Sequence, residues 1–397
     1  MRNLLFLSLL ASYAIASPLT LQQIEQKLEH SHPLYLSIES QKEANSAKIR
    51  AEHATEPFVL SAGGAQAKPD GAEDEFEYSA GVGKTFLLGN QRAQSLTIAT
   101  LNLQADALEL EKRLLEFSNA IKADYHQSCL MREQSVVFEQ SYHEFEKLYA
   151  KKQKAYKYKE ISKKELLQLK IEKADLKQKL QNFKAKESIL KQTLFDAIGL
   201  TENKVELSCA DLHPMIFNED DSDKVFALST EALDKQILGA KKSANLYSRS
   251  FESIDLSVGF DKEIDMKRYG VGVSLPLSFS SKANEYKKIS ALHQQKALKL
   301  QKQHMLIEKN RKFKQLKAKL ENEKNLITMT AESITSFKMD LLPLIEKSYQ
   351  FGESSVVEYL LSKQKLWQLQ ERLSEYKKTY YKTLFELYTV AEIKEKE

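Results

Sequence analysis

The chain is written twice. YKYKEISKKELLQLKIEKADLKQKL from Tyr156 aligns without a gap with YQFGESSVVEYLLSKQKLWQLQERL from Tyr349. The coincident positions include Tyr156/Tyr349, Glu160/Glu353, Ser162/Ser355, Glu165/Glu358, Leu167/Leu360 and Leu176/Leu369. Upstream, LSAG from Leu60 pairs with LSVG from Leu256, and GVG at Gly81 with GVG at Gly270, at nearly the same offset. A duplication of this kind dictates organisation before any element is assigned, because both halves must build the same unit. Each half reads as a short helix, two strands, a very long helix, a tight turn and a second long helix. The expected division is a leader over residues 1–16, a first repeat over 17–212 and a second over 213–397.

Glycine and proline, 12 and 7 in 397 residues, mark where the elements break. Neither occurs between Asn90 and Ile198, between Leu277 and Leu342, or from Glu353 onward, and both are costly inside a helix. These gaps are the long helices. The first, from Gly89 to about Lys157, would extend about 100 Å at ~1.5 Å per residue. Apolar residues recur along the helices at heptad spacing, as in Leu169, Leu176, Phe183 and Leu190, or Leu306, Phe313, Leu320, Ile327 and Ile334. That spacing points to coiled-coil-like packing. Two parallel seams in the first long helix, Leu101/Leu108/Leu115 and Leu103/Leu110/Phe117, call for neighbours on both sides, as in a closed ring of helices.

The glycines gather around two regions of period-two alternation, where strands are predicted over residues 57–65, 75–86, 253–261 and 267–277. Ile254, Leu256, Val258 and Phe260 face one way, while Asp255, Ser257 and Gly259 face the other. A strand between lipid and a wet lumen has this pattern, and so does one half-buried in a soluble sheet. The connection around residues 66–74 is the longer of the two and is expected to be an exposed loop outside the cell.

Export favours the lipid alternative. Arg2, the apolar run Leu4 to Leu10 and Ala14-Ile15-Ala16 have the form of a cleavable leader. Ser17 rather than a cysteine follows, so a lipoprotein anchor is not expected. No later stretch approaches the ~20 apolar residues of a membrane-spanning helix. Four strands cannot close a barrel, and open edges are not tolerated in lipid. Three copies would supply twelve strands, an even number within the bacterial range, related by the cyclic symmetry usual for rings.

Other classes find little support. The net charge of +4 is small for this length, which argues against a nucleic-acid partner. There is no nucleophile motif, phosphate loop or paired-histidine metal motif, so neither an enzyme nor a cofactor is expected. His126 and Cys129 share a helix face near Met131, but a stable metal site needs more ligands, and none is assigned. In an exported protein the two cysteines, Cys129 and Cys209, can form a bridge. The distance between them cannot be read from sequence, so two unbridged thiols remain the default alternative.

Four stretches resemble the TolC-like outer-membrane efflux proteins, and together they extend that resemblance over essentially the whole mature length. LTLQQIEQKLEHSHPLYL from Leu19 resembles the family's opening helix with its break at Pro33. LLPLIEKSYQFGESSVVEYLLSKQKL from Leu341 is similar to the turn between the last two periplasmic helices. VGVSLPLSF from Val271 resembles the strand leading into the second hairpin. KTFLLGNQR from Lys84 resembles the strand exit of members serving cobalt–zinc–cadmium and copper pumps.

The resemblance implies a mostly α, internally duplicated fold with a small transmembrane β part. Long helical hairpins would form a trimeric tube below a twelve-stranded trimeric barrel in the outer membrane of a Gram-negative bacterium. It implies a passive conduit that meets a periplasmic adaptor and an inner-membrane pump, with no nucleotide or substrate chemistry of its own, and that exports heavy-metal cations. Drugs, solvents or a secreted polypeptide are the alternative cargoes, and a periplasmic adaptor or envelope coiled coil the rival classes. The family's pore-lining acidic position falls on Glu358 and, in the first repeat, Glu165. Leu361 stands where some relatives carry a further Asp, and Lys159 stands opposite Gly352. The tip turns expected to meet the adaptor comprise Tyr156, Glu160 and Ser162 in the first repeat, and Tyr349, Gly352 and Ser355 in the second.

Overall fold

The computed structural model describes residues 18–67, 75–200, 205–210, 212, 214–215, 225–248, 252–276 and 282–393. The expected leader, most of the 66–74 connection and Leu277 at the end of the fourth predicted strand lie outside the described residues. In chain order the elements are α1 (Leu21–Ser31), α2 (Pro33–His53), β1 (Val59–Ala67), β2 (Glu75–Leu87), α3 (Gln91–Lys157) and α4 (Lys163–Ala197). They continue with α5 (Ala227–Leu246), β3 (Ser253–Lys262), β4 (Lys267–Ser274), α6 (Ala283–Ser336), a π-helical turn (Phe337–Leu341), α7 (Leu342–Phe351) and α8 (Val356–Ala391). No helix among the described residues is long and apolar enough to cross a membrane.

The elements form two compact units that cut across the repeats. One comprises Met1–Leu36, Leu114–Val225 and Arg311–Glu397, and the other Ser37–Arg113 and Phe226–Asn310. Each unit therefore draws on both halves of the sequence.

The second unit carries one antiparallel sheet in the order β1-β2-β3-β4. The registers sort its side chains into two unlike faces. Leu60, Val82, Val258 and Val271 form one row across all four strands, and Ala80, Phe260 and Tyr269 lie beside it. The opposite face holds the row Ser61, Gly81, Gly259 and Gly270, with Gly83, Ser257 and Gly272 next to it. There the Thr85 hydroxyl donates to Asp255 at 2.5 Å. The apolar face is uncovered: Leu60, Phe76, Val258, Tyr269 and Val271 are all exposed. Among the described residues, β1 and β4 each have one unpaired edge.

Strand ends differ from expectation by small amounts. β1 is displaced two residues toward the C-terminus, since its pairing with β2 extends to Ala67↔Glu75. β2 and β3 each run one residue further. β4 stops at Ser274, two residues before Pro276, whose nitrogen has no hydrogen to donate to a ladder.

In the first unit, α1 opens with a capping box in which Thr20 and Gln23 satisfy each other's backbone N–H groups. α2 begins at Pro33, a first-turn position that needs no N–H. Ile24 and Leu28 pack with Ile121, Tyr125, Leu194, Phe195 and Leu207. Leu316, Leu320 and Ile327 of α6 pack with Tyr380, Leu384, Leu387 and Tyr388 of α8. The segment at 205–210 is fastened to α3: Tyr125 donates to the Ser208 carbonyl, and Arg132 donates to the Leu207 carbonyl at 3.0 Å. Cys129 and Cys209 are bonded there, their Cα atoms 5.4 Å apart, within the span a disulfide requires. His126 is fully buried against Tyr381 and Phe385, with Nδ1 2.7 Å from the Lys122 carbonyl oxygen. Its ring and the Cys129 sulfur are thus engaged in packing and the bridge.

The second long helix departs from an uninterrupted reading. Its last turns pass through the π-helical turn before Pro343. The proline ring would clash with the carbonyl four residues earlier in a regular α-helix; the π-helical turn lies directly before it, and Pro343 stands in the first turn of α7.

Candidate functional site: the two hairpin tips

The duplicated stretch forms the ends of two helical hairpins, and their backbones are nearly superimposable in bonding. At the first, the Lys159 N–H donates to the Tyr156 carbonyl at 3.0 Å and the Glu160 N–H to Ala155 at 2.9 Å. At the second, the Gly352 N–H donates to the Tyr349 carbonyl at 3.3 Å and the Glu353 N–H to Ser348 at 2.8 Å. Both are Schellman closures, which need a left-handed residue just past the helix. Gly352 supplies it with φ of 78°, and Lys159 adopts it with φ of 62°. The lysine tolerates what the glycine permits, at a cost of roughly 1–2 kcal/mol.

The next helix starts alike in both. Ser162 and Ser355 are N-caps with φ/ψ of −79°/155° and −79°/157°. Their hydroxyls accept from the Glu165 N–H at 3.1 Å and the Glu358 N–H at 3.2 Å. The Ser-x-x-Glu spacing that the duplication preserves is thus a helix-starting device. It places a carboxylate over each helix N-terminus, where the positive end of the dipole favours it. This local role for both serines was readable in the sequence and is distinct from any adaptor contact.

Side-chain environments diverge. Glu165 is half-buried, accepting from the Tyr349 hydroxyl at 2.8 Å and lying 3.7 Å from the Lys152 ammonium. Lys152 also sits 4.2 Å from the centroid of the Tyr349 ring, which stacks on Tyr359 at 4.8 Å. Burial, then the hydrogen bond and charge of Glu165, raise the Tyr349 hydroxyl far above its ordinary value, keeping it a donor at any physiological pH. Burial, with Glu346 and Glu144, likewise raises Tyr359. Further along, Gln364 donates to Glu172 at 2.7 Å, and burial raises the carboxyl of Glu172. Trp367, Phe145, Leu169, Leu176 and Leu360 complete the apolar seam beneath.

Glu358 and Tyr156, the repeat partners of Glu165 and Tyr349, have no such surroundings. Both are exposed, and among the described residues neither the Glu358 carboxylate nor the Tyr156 hydroxyl has a hydrogen bond. Glu160 is exposed as well, and Gly352 has open space around it. The structure therefore links Glu165 with Tyr349 across the two hairpins. Lys152, Tyr359 and the Gln364–Glu172 pair are contributors that heptad spacing does not distinguish from ordinary helix residues.

No family model matches the sequence, and no curated protein matches it either. Solved structures do match. The CmeC outer-membrane channel of Campylobacter jejuni is 13% identical with a TM-score of 0.76, covering 93% of this chain and 85% of that one. The outer-membrane protein VceC of Vibrio cholerae is 16% identical with a TM-score of 0.76, covering 94% of this chain and 95% of that one. The MtrE outer-membrane channel of Neisseria gonorrhoeae, in its open state, is 14% identical with a TM-score of 0.76, covering 94% and 88%. The chain has the fold of these outer-membrane channels over nearly its whole length.

Proposed function

We propose that this chain is one protomer of a passive export channel in the outer membrane of a Gram-negative bacterium, entering the envelope behind a leader over residues 1–16. Three copies would close a twelve-stranded barrel and continue it as a helical tube, whose tips meet a periplasmic adaptor and inner-membrane pump. The observation that carries this reading is the sheet. It has an uncovered apolar face, a glycine- and hydroxyl-rich opposite face and two unpaired edges, a combination stable only when lipid covers one side and neighbouring strands complete the edges. Aromatics stand toward both ends of the apolar face, with Phe76, Tyr78, Phe260 and Tyr269 toward one and Phe58 and Phe86 toward the other. Such girdles mark the two membrane interfaces. An adaptor or envelope coiled coil would have no use for this face. The heavy-metal cargo rests on the resemblance of the strand exit after Lys84. Membrane fractionation followed by native mass measurement in detergent tests the reading, with an integral outer-membrane trimer expected. A soluble or peripheral monomer would overturn it.

In this assembly Glu358, supported by Glu165, lines the narrowest point of the tube. A ring of carboxylates in a narrow lumen attracts cations. E358A should therefore raise single-channel conductance and weaken block by added divalent cations in planar bilayers, and E358K should shift selectivity toward anions. If both variants conduct and select like the wild type, the constriction lies elsewhere.

A further inference from the structure

The duplication makes a contact within the chain that has an unmade counterpart. The second hairpin presents Tyr349, Leu360 and Gln364 to the first, where Tyr349 meets Glu165 and Gln364 meets Glu172. The positions of the first hairpin that correspond to these three are Tyr156, Leu167 and Ile171. Tyr349 and Leu360 are 7% and 8% exposed, whereas Tyr156, Leu167 and Ile171 are 38%, 47% and 62% exposed. An uncovered tyrosine and two uncovered aliphatic residues thus stand in line on a side of the first hairpin that no described residue of this chain covers. On the second hairpin the counterpart of Glu165 is Glu358, whose carboxylate is also uncovered.

We infer that a second copy of this chain covers this face, and that the Tyr156 hydroxyl of one copy donates to one oxygen of the Glu358 carboxylate of the next, leaving the other oxygen toward the lumen ring proposed above. The inference rests on the ring assembly proposed above. In a ring of alternating hairpins, the rotation carrying the first hairpin onto the second also carries the second onto the first hairpin of the neighbouring copy. It therefore carries the Tyr349–Glu165 contact onto a Tyr156–Glu358 contact between copies. The backbone supports the substitution, because Schellman closure, cap angles and the serine hydroxyl that accepts from the N3 glutamate N–H are the same in both tips. The partner copy supplies one residue of each pair, so the site is incomplete in a single chain. The two sites are unequal. Lys152 flanks Glu165, but Ile345 stands at its repeat position, so the pair between copies lacks the ammonium. Ile171, the counterpart of Gln364, meets Lys365, the counterpart of Glu172, so the polar Gln364–Glu172 bond has no equivalent between copies.

The test uses the full-length channel in detergent, with native mass establishing whether it is trimeric. Both native cysteines are bonded to each other, so the pair Y156C/E358C can be treated with a short bismaleimide against the background of the intact bridge. Covalent trimers on denaturing gels are expected, absent from either single variant, whereas Y349C/E165C should cross-link within the monomer band. In the unsubstituted trimer, hydroxyl-radical labelling of Tyr156 and Leu167 should fall to the level of Tyr349 and Leu360. A trimer that forms no cross-link between chains, or that labels Tyr156 as readily as Tyr158, overturns this inference while leaving the channel reading intact. A monomer by native mass overturns both.

Discussion

The two hairpin tips share nearly every backbone bond and almost none of their side-chain company. Each closes with the same pair of carbonyl acceptors and restarts on a serine with the same torsion angles. Yet the tyrosine before one turn is buried and bonded to a carboxylate, while its counterpart before the other is uncovered. In both copies the hydrogen bonding that turns the chain satisfies the same orphan carbonyls at the helix end, whatever lies alongside it. Side chains pointing at neighbours are free to diverge once the two copies occupy different surroundings. Backbone identity therefore reports common origin, and side-chain difference reports the different partner each tip faces.

Breaking the buried link should have the largest effect. Y349F removes a hydrogen bond to a charged acceptor, worth about 1.5–3 kcal/mol, and leaves Glu165 with only the distant Lys152. Thermal unfolding of the monomeric chain should show a clear loss for Y349F and little for Y156F. Equal losses would mean that the two tyrosines have equivalent surroundings and the contrast between tips is false.

The closing residues give a smaller effect of opposite signs. G352A places a Cβ in a left-handed conformation and should cost roughly 1 kcal/mol, whereas K159G relieves the same strain and should gain a comparable amount. Space is not at issue, since nothing lies within contact distance of a Cβ at Gly352. Urea midpoints of the two variants should move in opposite directions.

The smallest effect concerns Glu172, which has Lys365 as its repeat counterpart. Burial raises the folded-state pKa of this carboxyl. The folded chain thus binds a proton more readily than the unfolded one, and stability falls as pH rises from the ordinary carboxylate value through the raised one. E172Q should leave stability little changed at acid pH and raise it modestly at neutral pH, keeping a partner for Gln364. K365Q, at an exposed position, should change neither. A flat pH profile for the E172Q difference would show that the buried carboxylate is fully compensated.

Much of this fold was legible because its determinants are local. Long intervals free of glycine and proline located α3, α4 and α8, and the alternation around Gly81 and Gly259 located the strands and sorted their faces. What escaped depends on tertiary proximity or on which constraint wins. Pro343 was visible, but whether a helix answers a proline by stopping or by widening depends on the packing around it, and here it widens through Phe337–Leu341. The Cys129–Cys209 bond required knowing that the connecting segment returns along α3. At the tips, Glu165 and Glu358 looked equivalent in the alignment, because sequence register records the helix position they share. It does not record that a tyrosine from the other hairpin reaches only one of them.

The pairing of β2 with β3 has a consequence for how the chain is made. Gly81 faces Gly259 across the ladder, so this central pairing joins segments separated by the entire first helical hairpin. The β1–β2 and β3–β4 hairpins can form early from neighbouring residues, whereas the seam between them must wait for the second half to be synthesised. Bringing ends together across so long a loop carries an entropic cost that local contacts do not offset in advance. During that interval the first hairpin exposes two unpaired edges beside an apolar face. The nascent chain therefore has a window, set by the rate of synthesis, in which protection of the first strand pair decides between completion of the sheet and aggregation.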